Sequence, residues 1–207
     1  MTSGQMKTLL YVDACPRGDQ SRTRMLAEAA LARIGTALPA LTIVTHRLTG
    51  MKLRPSDAAW LARKDALCDR LDWTDDRLRP AVEFQCADAV LIAAPYWDLS
   101  FPAVLKTWVE NIWVRNLTFV YRDDQPVGLA RGKAALYITT SGSYLAGHDW
   151  GTGYIRDVMT TLGIPAFDAV SAEGLDLASS NPEEILSGAR AQAEAKASWM
   201  ADKMLND

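Results

Sequence analysis

The sequence predicts a doubly wound α/β fold: a five-stranded parallel sheet with helices on both faces and a small inserted hairpin. Three observations carry that expectation. Five short apolar runs alternate with stretches whose apolar residues recur every three or four positions, the mark of strand–helix–strand units. The length of 207 residues suits one domain, and a hydrophobic content of 49% allows a substantial core. No internal repeat, low-complexity segment or linker divides residues 1–207.

Leu9-Leu10-Tyr11-Val12 reads as the first buried strand. Leu26, Ala30, Ile34 and Leu38 follow at helical spacing, and Leu41 to Val44 is the second strand. A helix is expected from Ser56 to Leu71, with Ser56 as its N-cap, and a shorter one from Leu78 to Cys86. Ala89 to Ala93 is the third strand. The next helix, Val104 to Val114, carries Val104, Leu105, Trp108, Val109, Ile112 and Trp113 on a stripe wider than one sheet face requires. Such a stripe also suits packing against a second subunit. Thr118 to Tyr121 and Val127 to Leu129 flank a polar turn and read as a hairpin. Ala134 to Thr139 is the fourth strand, Thr152 to Leu162 a helix, and Ala166 to Ala172 the fifth strand. Asn181-Pro182-Glu183-Glu184 starts the last helix: Asn caps, Pro takes the first turn, and the acids meet the positive dipole end.

Composition excludes several classes. The net charge is −3 with no basic stripe, so nucleic acid is not an expected partner. No apolar run reaches the roughly 18 residues of a membrane helix. The start, Met1 to Gln5, is polar and lacks the apolar core of a signal peptide. Three cysteines at unpatterned spacing give neither a disulfide framework nor a metal site. The chain reads as a soluble, cytoplasmic protein without a membrane partner.

Right-handed crossovers put the C-terminal ends of all parallel strands on one edge, where ligands bind in such sheets. Three loops meet there. Asp13 to Thr23 ends in Ser21-Arg22-Thr23, two hydroxyls and a guanidinium at a helix N-terminus, which is an anion site in the making. The same residues are also consistent with a plain Ser21 cap and solvated arginines. Pro95-Tyr96-Trp97-Asp98-Leu99 offers flat ring faces, or else simply covers the sheet end. Thr140-Ser141-Gly142-Ser143 offers backbone N–H groups to a close ligand, or is an ordinary glycine turn. Together they are the parts required by a flat ring with a phosphorylated tail, such as FMN. Neither the triphosphate-binding nor the dinucleotide-binding glycine pattern is present.

These residues bear a resemblance. Ala94 to Pro102, Leu105-Lys106, Thr118-Phe119 with Tyr121, Gly128-Leu129 with Gly132-Lys133, Ile138-Thr139-Thr140 with Gly142, and Ala172-Glu173-Gly174 resemble the FMN-dependent NAD(P)H:quinone oxidoreductase and azoreductase family, of flavodoxin-like fold. The resemblance runs from about Lys7 to the final helix. It implies that Ser21, Arg22 and Thr23 hold the flavin phosphate. Pro95 to Leu99 would contact the ring and ribityl chain, and Thr140 to Ser143 the ring's polar edge. It further implies a homodimer, NADH or NADPH as donor, a small planar acceptor and ping-pong kinetics. No catalytic side chain is required, because the chemistry is the flavin's. Tyr96, Trp97 and Tyr144 are candidates to line the acceptor slot, and His148 is a candidate proton donor, though a surface loop histidine is more often inert. Ala14 stands where the family commonly has a serine, which leaves more of the phosphate to Arg22, Thr23 and backbone amides.

Rival readings remain within the same architecture. A flavodoxin-type electron carrier and a flavin-free binding module both fit the fold. A tyrosine phosphatase loop does not fit, because six residues separate Cys15 from Arg22 where five are needed. A phospho-receiver domain lacks its aspartate directly after the third strand.

Overall fold

The structure, a computed structural model, describes residues 6–205; the polar start from Met1 to Gln5 lies outside the described residues. In chain order the elements are β1 (Thr8–Asp13), α1 (Arg22–Ala37), β2 (Thr42–Arg47), α2 (Ala58–Arg70), α3 (Arg79–Cys86), β3 (Ala89–Ala93), α4 (Ala103–Ile112), β4 (Phe119–Arg122), β5 (Gln125–Gly128), β6 (Ala134–Thr140), α5 (Trp150–Thr161), β7 (Ala166–Ala172) and α6 (Pro182–Leu205). Five strands form one parallel sheet in the order β2-β1-β3-β6-β7, and β4 pairs antiparallel with β5 as a separate hairpin. All five expected sheet strands and the hairpin are present.

Both faces of the sheet are covered, so its central strands are apolar on both sides. Leu9, Leu91, Leu136 and Val170 face α1 and α6, where Ile34, Ala193, Ala197 and Met200 complete the layer. Leu10, Val90, Ile92 and Tyr137 face the opposite layer, built from Phe84, Leu105, Trp108, Ile112, Ile155 and Met159. A third cluster seats Trp60 and Leu67 of α2 on Leu78, Ala81 and Val114.

Several expected boundaries shift for local physical reasons. Asp57, not Ser56, caps α2, its carboxylate accepting from the Trp60 N–H at 2.7 Å. A 3-10 turn at Asp76–Leu78 precedes α3, which therefore starts at Arg79 rather than Leu78. Helix α4 stops at Ile112, because the Thr118 hydroxyl takes up the chain end: it donates to the Ile112 carbonyl at 2.7 Å and accepts from the Val114 N–H at 3.0 Å. Asp149 caps α5 by accepting from Thr152 N, so that helix begins at Trp150, before the expected Thr152. The wide stripe on α4 is largely taken up within the chain. Leu105, Trp108, Val109 and Ile112 are all buried in its own core. Gly128 ends the hairpin where backbone atoms of Leu162 and Gly163 stand in the space of a side chain, so α5 and β5 can meet there only across a glycine.

One buried polar link crosses this second layer. His46 of β2 is almost fully buried, and its Nδ1 lies 3.0 Å from the Trp108 indole nitrogen. Indole only donates, so Nδ1 must accept, which leaves Nε2 to carry the proton toward the Glu83 carboxylate 2.5 Å away. Burial, the largest influence, pushes the His46 pKa down; Glu83 opposes that shift and Arg79 adds to it. The ring thus ties β2, α3 and α4 together.

Candidate functional site

The C-terminal ends of β1, β3, β6 and β7 share one edge, and the strand order reverses between β1 and β3, the position favoured for ligands in open α/β sheets. A cavity of about 150 Å3 opens there. Of the twelve residues named from sequence, nine line it: Ser21, Arg22, Thr23, Pro95, Tyr96, Trp97, Thr140, Ser141 and Gly142. Asp98, Leu99 and Ser143 do not. Asp98 and Leu99 are the exposed tip of a reverse turn, and the Ser143 carbonyl is turned to its neighbours, accepting from the Ser141 hydroxyl and from Gly174 N.

The loop after β1 is held from beneath. Asp13, at the end of β1, is fully buried and pairs with Arg24 of α1 at 2.6 Å. The Asp13 carboxylate also accepts from Cys15 N at 3.0 Å, and Arg24 reaches Asp19 at 2.7 Å. Ser21 caps α1 by accepting from Arg24 N, so the plain-cap reading is correct as far as it goes. It does not use up the site. The N–H groups of Arg22 and Thr23 open the helix and have no intrahelical acceptor, which leaves them for an anion. Thr23 is buried and its hydroxyl is 2.7 Å from that of Thr140, a bond that joins α1 to β6. Thr23 is therefore a brace as well as part of the cavity wall.

The loop after β3 turns back on itself. Trp97 and Ser100 exchange two backbone hydrogen bonds of 3.1 and 2.8 Å around Asp98 and Leu99. Both central residues have positive φ, 50° and 67°. This is the geometry of a hairpin turn that usually recruits Asn-Gly, made here without either residue. The loop is fixed at its base by Tyr96 N, which donates to the Thr140 carbonyl at 2.9 Å. The Tyr96 hydroxyl donates to the His148 carbonyl at 2.6 Å. His148 thus contributes its backbone to the site, while its exposed ring lies tilted at 50° to that of Trp150, 6.4 Å away.

A fourth loop, after β7, completes the wall; its Ala172-Glu173-Gly174 stretch belongs to the sequence resemblance, which gives it no part in the site. Gly174, Leu175 and Asp176 donate their N–H groups to the carbonyls of Ser143, Ser141 and Gly142, closing the two loops together. Glu173 accepts from Leu145 N at 2.8 Å. Asp176 lines the cavity with Pro16, Arg17 and Gln20, none of them foreseen. Its carboxylate stands against Gly142 where any side chain would collide. Its position at the end of the last sheet strand, on the common edge, was the available signal.

Cys15 is buried beneath the loop, its thiol 3.5 Å from the Ala93 carbonyl, and burial pushes its pKa up to about 12. A protonated, buried thiol is no nucleophile, which removes the phosphatase chemistry a second time. No group of three or more metal-ligating side chains occurs among the described residues.

The donor set fits a phosphate: free N–H groups at a helix start, the Arg22 guanidinium, and Arg17 on the wall. The enclosed volume is below the roughly 300–1,000 Å3 of a pocket that swallows a whole drug-sized ligand. It suits a phosphate and the start of its chain. A ring would lie at the open side, beside Pro95, Tyr96 and Trp97, the last of which is 39% exposed.

Comparison with known proteins agrees with this architecture. A family described as having a flavodoxin-like fold matches residues 7–197. An FMN-dependent NADH:quinone oxidoreductase of Stenotrophomonas maltophilia is 31% identical over 185 residues, covering 88% of this chain and 92% of its own. A protein of the same description from Cereibacter sphaeroides is 32% identical over 175 residues, 81% of this chain and 89% of its own. Among solved structures, azoreductase AzrA superposes with a TM-score of 0.82 at 26% identity, over 93% of this chain and 99% of its own.

Proposed function

The chain belongs to the flavodoxin-like family that includes the FMN-dependent NADH:quinone oxidoreductases and azoreductases, and on that premise we propose that it passes two electrons from NADH to quinones, azo compounds or similar flat acceptors. One observation carries the reading: the cavity where Ser21-Arg22-Thr23, Pro95-Tyr96-Trp97 and Thr140-Ser141-Gly142 meet, with anion donors at one end and ring faces at the other.

When bound, FMN supplies the redox chemistry as a two-electron store. The chain's own residues bind and orient it. The amides of Arg22 and Thr23 and the Arg22 guanidinium hold the phosphate. Pro95, Tyr96 and Trp97 bound the ring, with Asp98 and Leu99 at its open side. The amides of Gly142, on the cavity wall, and of Ser143, just beyond it, make no backbone bond of their own among the described residues and would offer donors to negative charge on a bound flavin. Donor and acceptor use the same open face in turn, which is a ping-pong scheme. Trp97, Leu99 and Tyr144 are exposed on loops at that edge and Trp150 at the start of α5, an apolar rim that favours a homodimer covering the ring. None of the cysteines is in a disulfide, and no helix among the described residues is long and apolar enough to cross a membrane. Both facts fit a cytoplasmic enzyme fed by NADH, with NADPH as the second donor to try.

The test is direct. Protein reconstituted with FMN should bind it stoichiometrically and oxidise NADH with a quinone or azo dye, giving parallel double-reciprocal lines. FMN binding without NADH oxidation would leave the electron carrier as the better reading. No flavin binding at all would leave the flavin-free module.

A further inference from the structure

The cavity contains one group that opposes an anionic guest. The Asp176 carboxylate is 2.8 Å from Arg22 Nη2, and Arg22 Nη1 donates to the Leu175 carbonyl at 3.2 Å. The guanidinium on which a phosphate would draw is therefore already engaged. The Asp176 side chain is solvent-exposed, but its backbone fixes where it stands. Its N–H is fastened to the Gly142 carbonyl at 2.9 Å, and its carboxylate stands in the space that a side chain at Gly142 would take. Backbone and glycine together place one negative charge on the wall that also carries the free helix amides.

The pair itself is weak enough to exchange. Its two side chains are 31% and 66% exposed, and such pairs contribute little in water. A phosphate ester seated on the Arg22 and Thr23 amides would compete for the same guanidinium. It would also meet the carboxylate's charge directly. We propose that Asp176 is a built-in competitor for the phosphate site: it and the phosphate ester of the incoming cofactor contend for the same Arg22 guanidinium. This inference rests on the FMN reading above, and it names the residue that sets how tightly the phosphate end is gripped. A flavin without a phosphate does not need Arg22 and is indifferent to the exchange.

The experiment titrates apoprotein with FMN and with riboflavin, followed by quenching of flavin fluorescence. Asp176→Asn keeps the shape over Gly142 and removes the charge. It should tighten FMN roughly three- to fivefold and leave riboflavin within a factor of two. In an Arg22→Ala background the same change should give a smaller gain, because only the direct repulsion between carboxylate and phosphate is left to relieve. Equal tightening of both flavins, weaker FMN binding, or a gain that persists undiminished without Arg22 would each overturn the competitor. A third arm uses inorganic phosphate alone, which should raise the Tm of Asp176→Asn more than that of the unaltered protein; equal shifts would count against the proposal. That arm stands even if neither flavin binds, an outcome that would instead reject the functional reading.

Discussion

The two ends of the crevice are built by different physics. The phosphate end is braced from below by a buried ion pair, Asp13–Arg24, and from the side by the buried Thr23–Thr140 hydroxyl pair. The ring end is an exposed reverse turn, with Trp97 at 39% and Leu99 at 61% exposure and two residues held at positive φ. The first end is preorganised for a small charged group that demands fixed donors. The second is open, as the proposed admission of a donor and then an acceptor of different shapes requires. Stability and function should therefore separate between them.

The largest separation is expected at Arg24. Its side chain is buried against Asp13 at the end of β1, so removing it leaves that buried carboxylate with only the more distant Arg47, at 3.5 Å, and the Cys15 N–H. Arg24→Ala should cost about 3 kcal/mol of unfolding free energy, the low end of the range for removing one partner of a buried ion pair, because Arg47 still faces Asp13. Trp97→Ala at the ring end should change stability by less than about 0.5 kcal/mol, as for most exposed positions, while impairing turnover. Chemical denaturation of the two variants would show the contrast. Comparable losses in both would mean that the ring end is as structural as the phosphate end.

Next comes the charge that faces the guest. Arg22→Ala leaves the fold nearly unaffected, because its pairing with Asp176 is exposed. It should weaken FMN binding by about 1.5–3 kcal/mol, the range for a hydrogen bond to a charged group. Riboflavin affinity should not follow. An FMN affinity that does not change would take Arg22 out of the phosphate site.

The ring end is supported from a distance by α4, and α4 is tied to β2 through His46 and Trp108. The His46 pKa is lowered in the fold, chiefly by burial. Between that lowered value and the ordinary one near 6.5, the unfolded chain binds a proton that the folded chain refuses. The stabilising effect is thus fully present above about pH 6.5 and is lost as pH falls through that window, with a slope of at most about 1.4 kcal/mol per pH unit. Protonation would set an N–H against the Trp108 N–H. His46→Gln should be less stable at neutral pH but lack this slope, which denaturation at a series of pH values would reveal; an unchanged slope would assign the acid sensitivity to other groups.

The contrast also explains which features the sequence discloses. Strands such as Val90-Leu91-Ile92 are apolar on both sides and short, so their burial is written in consecutive letters. The edge was legible because parallel strands joined by helices must end together. Arg22 and Gly142 followed from that edge. The braces did not. Arg24 is one arginine among several in the first helix, and only the turn of that helix over β1 brings it to Asp13. His46, Glu83 and Trp108 come from three elements whose register no local pattern fixes. Asp176 lies after the last strand, and its approach to Arg22 depends on the backbone pairing of two loops. Ser56 and Asp57 are both good caps, and the choice between them turns on one hydrogen bond to Trp60 N. The turn at Asp98-Leu99 carries no glycine or asparagine, so nothing in its letters announces a positive φ.

That turn gives the subtlest test of the difference between the ends. Leu99 holds φ at 67°, where its Cβ crowds the following carbonyl. It is 61% exposed, so it recovers little of that strain by burial. Left-handed geometry costs a non-glycine residue roughly 1–2 kcal/mol, while glycine loses about 0.5–1 kcal/mol through its greater freedom when unfolded. Leu99→Gly should therefore raise stability by about 0.5–1 kcal/mol while removing an apolar side chain from the open face. A rise in Tm together with a higher KM for the acceptor would mean that the strain is kept for what Leu99 touches in the working enzyme. A fall in Tm would show that the leucine is held in place by contacts that a single chain does not make, and would point to a partner subunit covering the ring end.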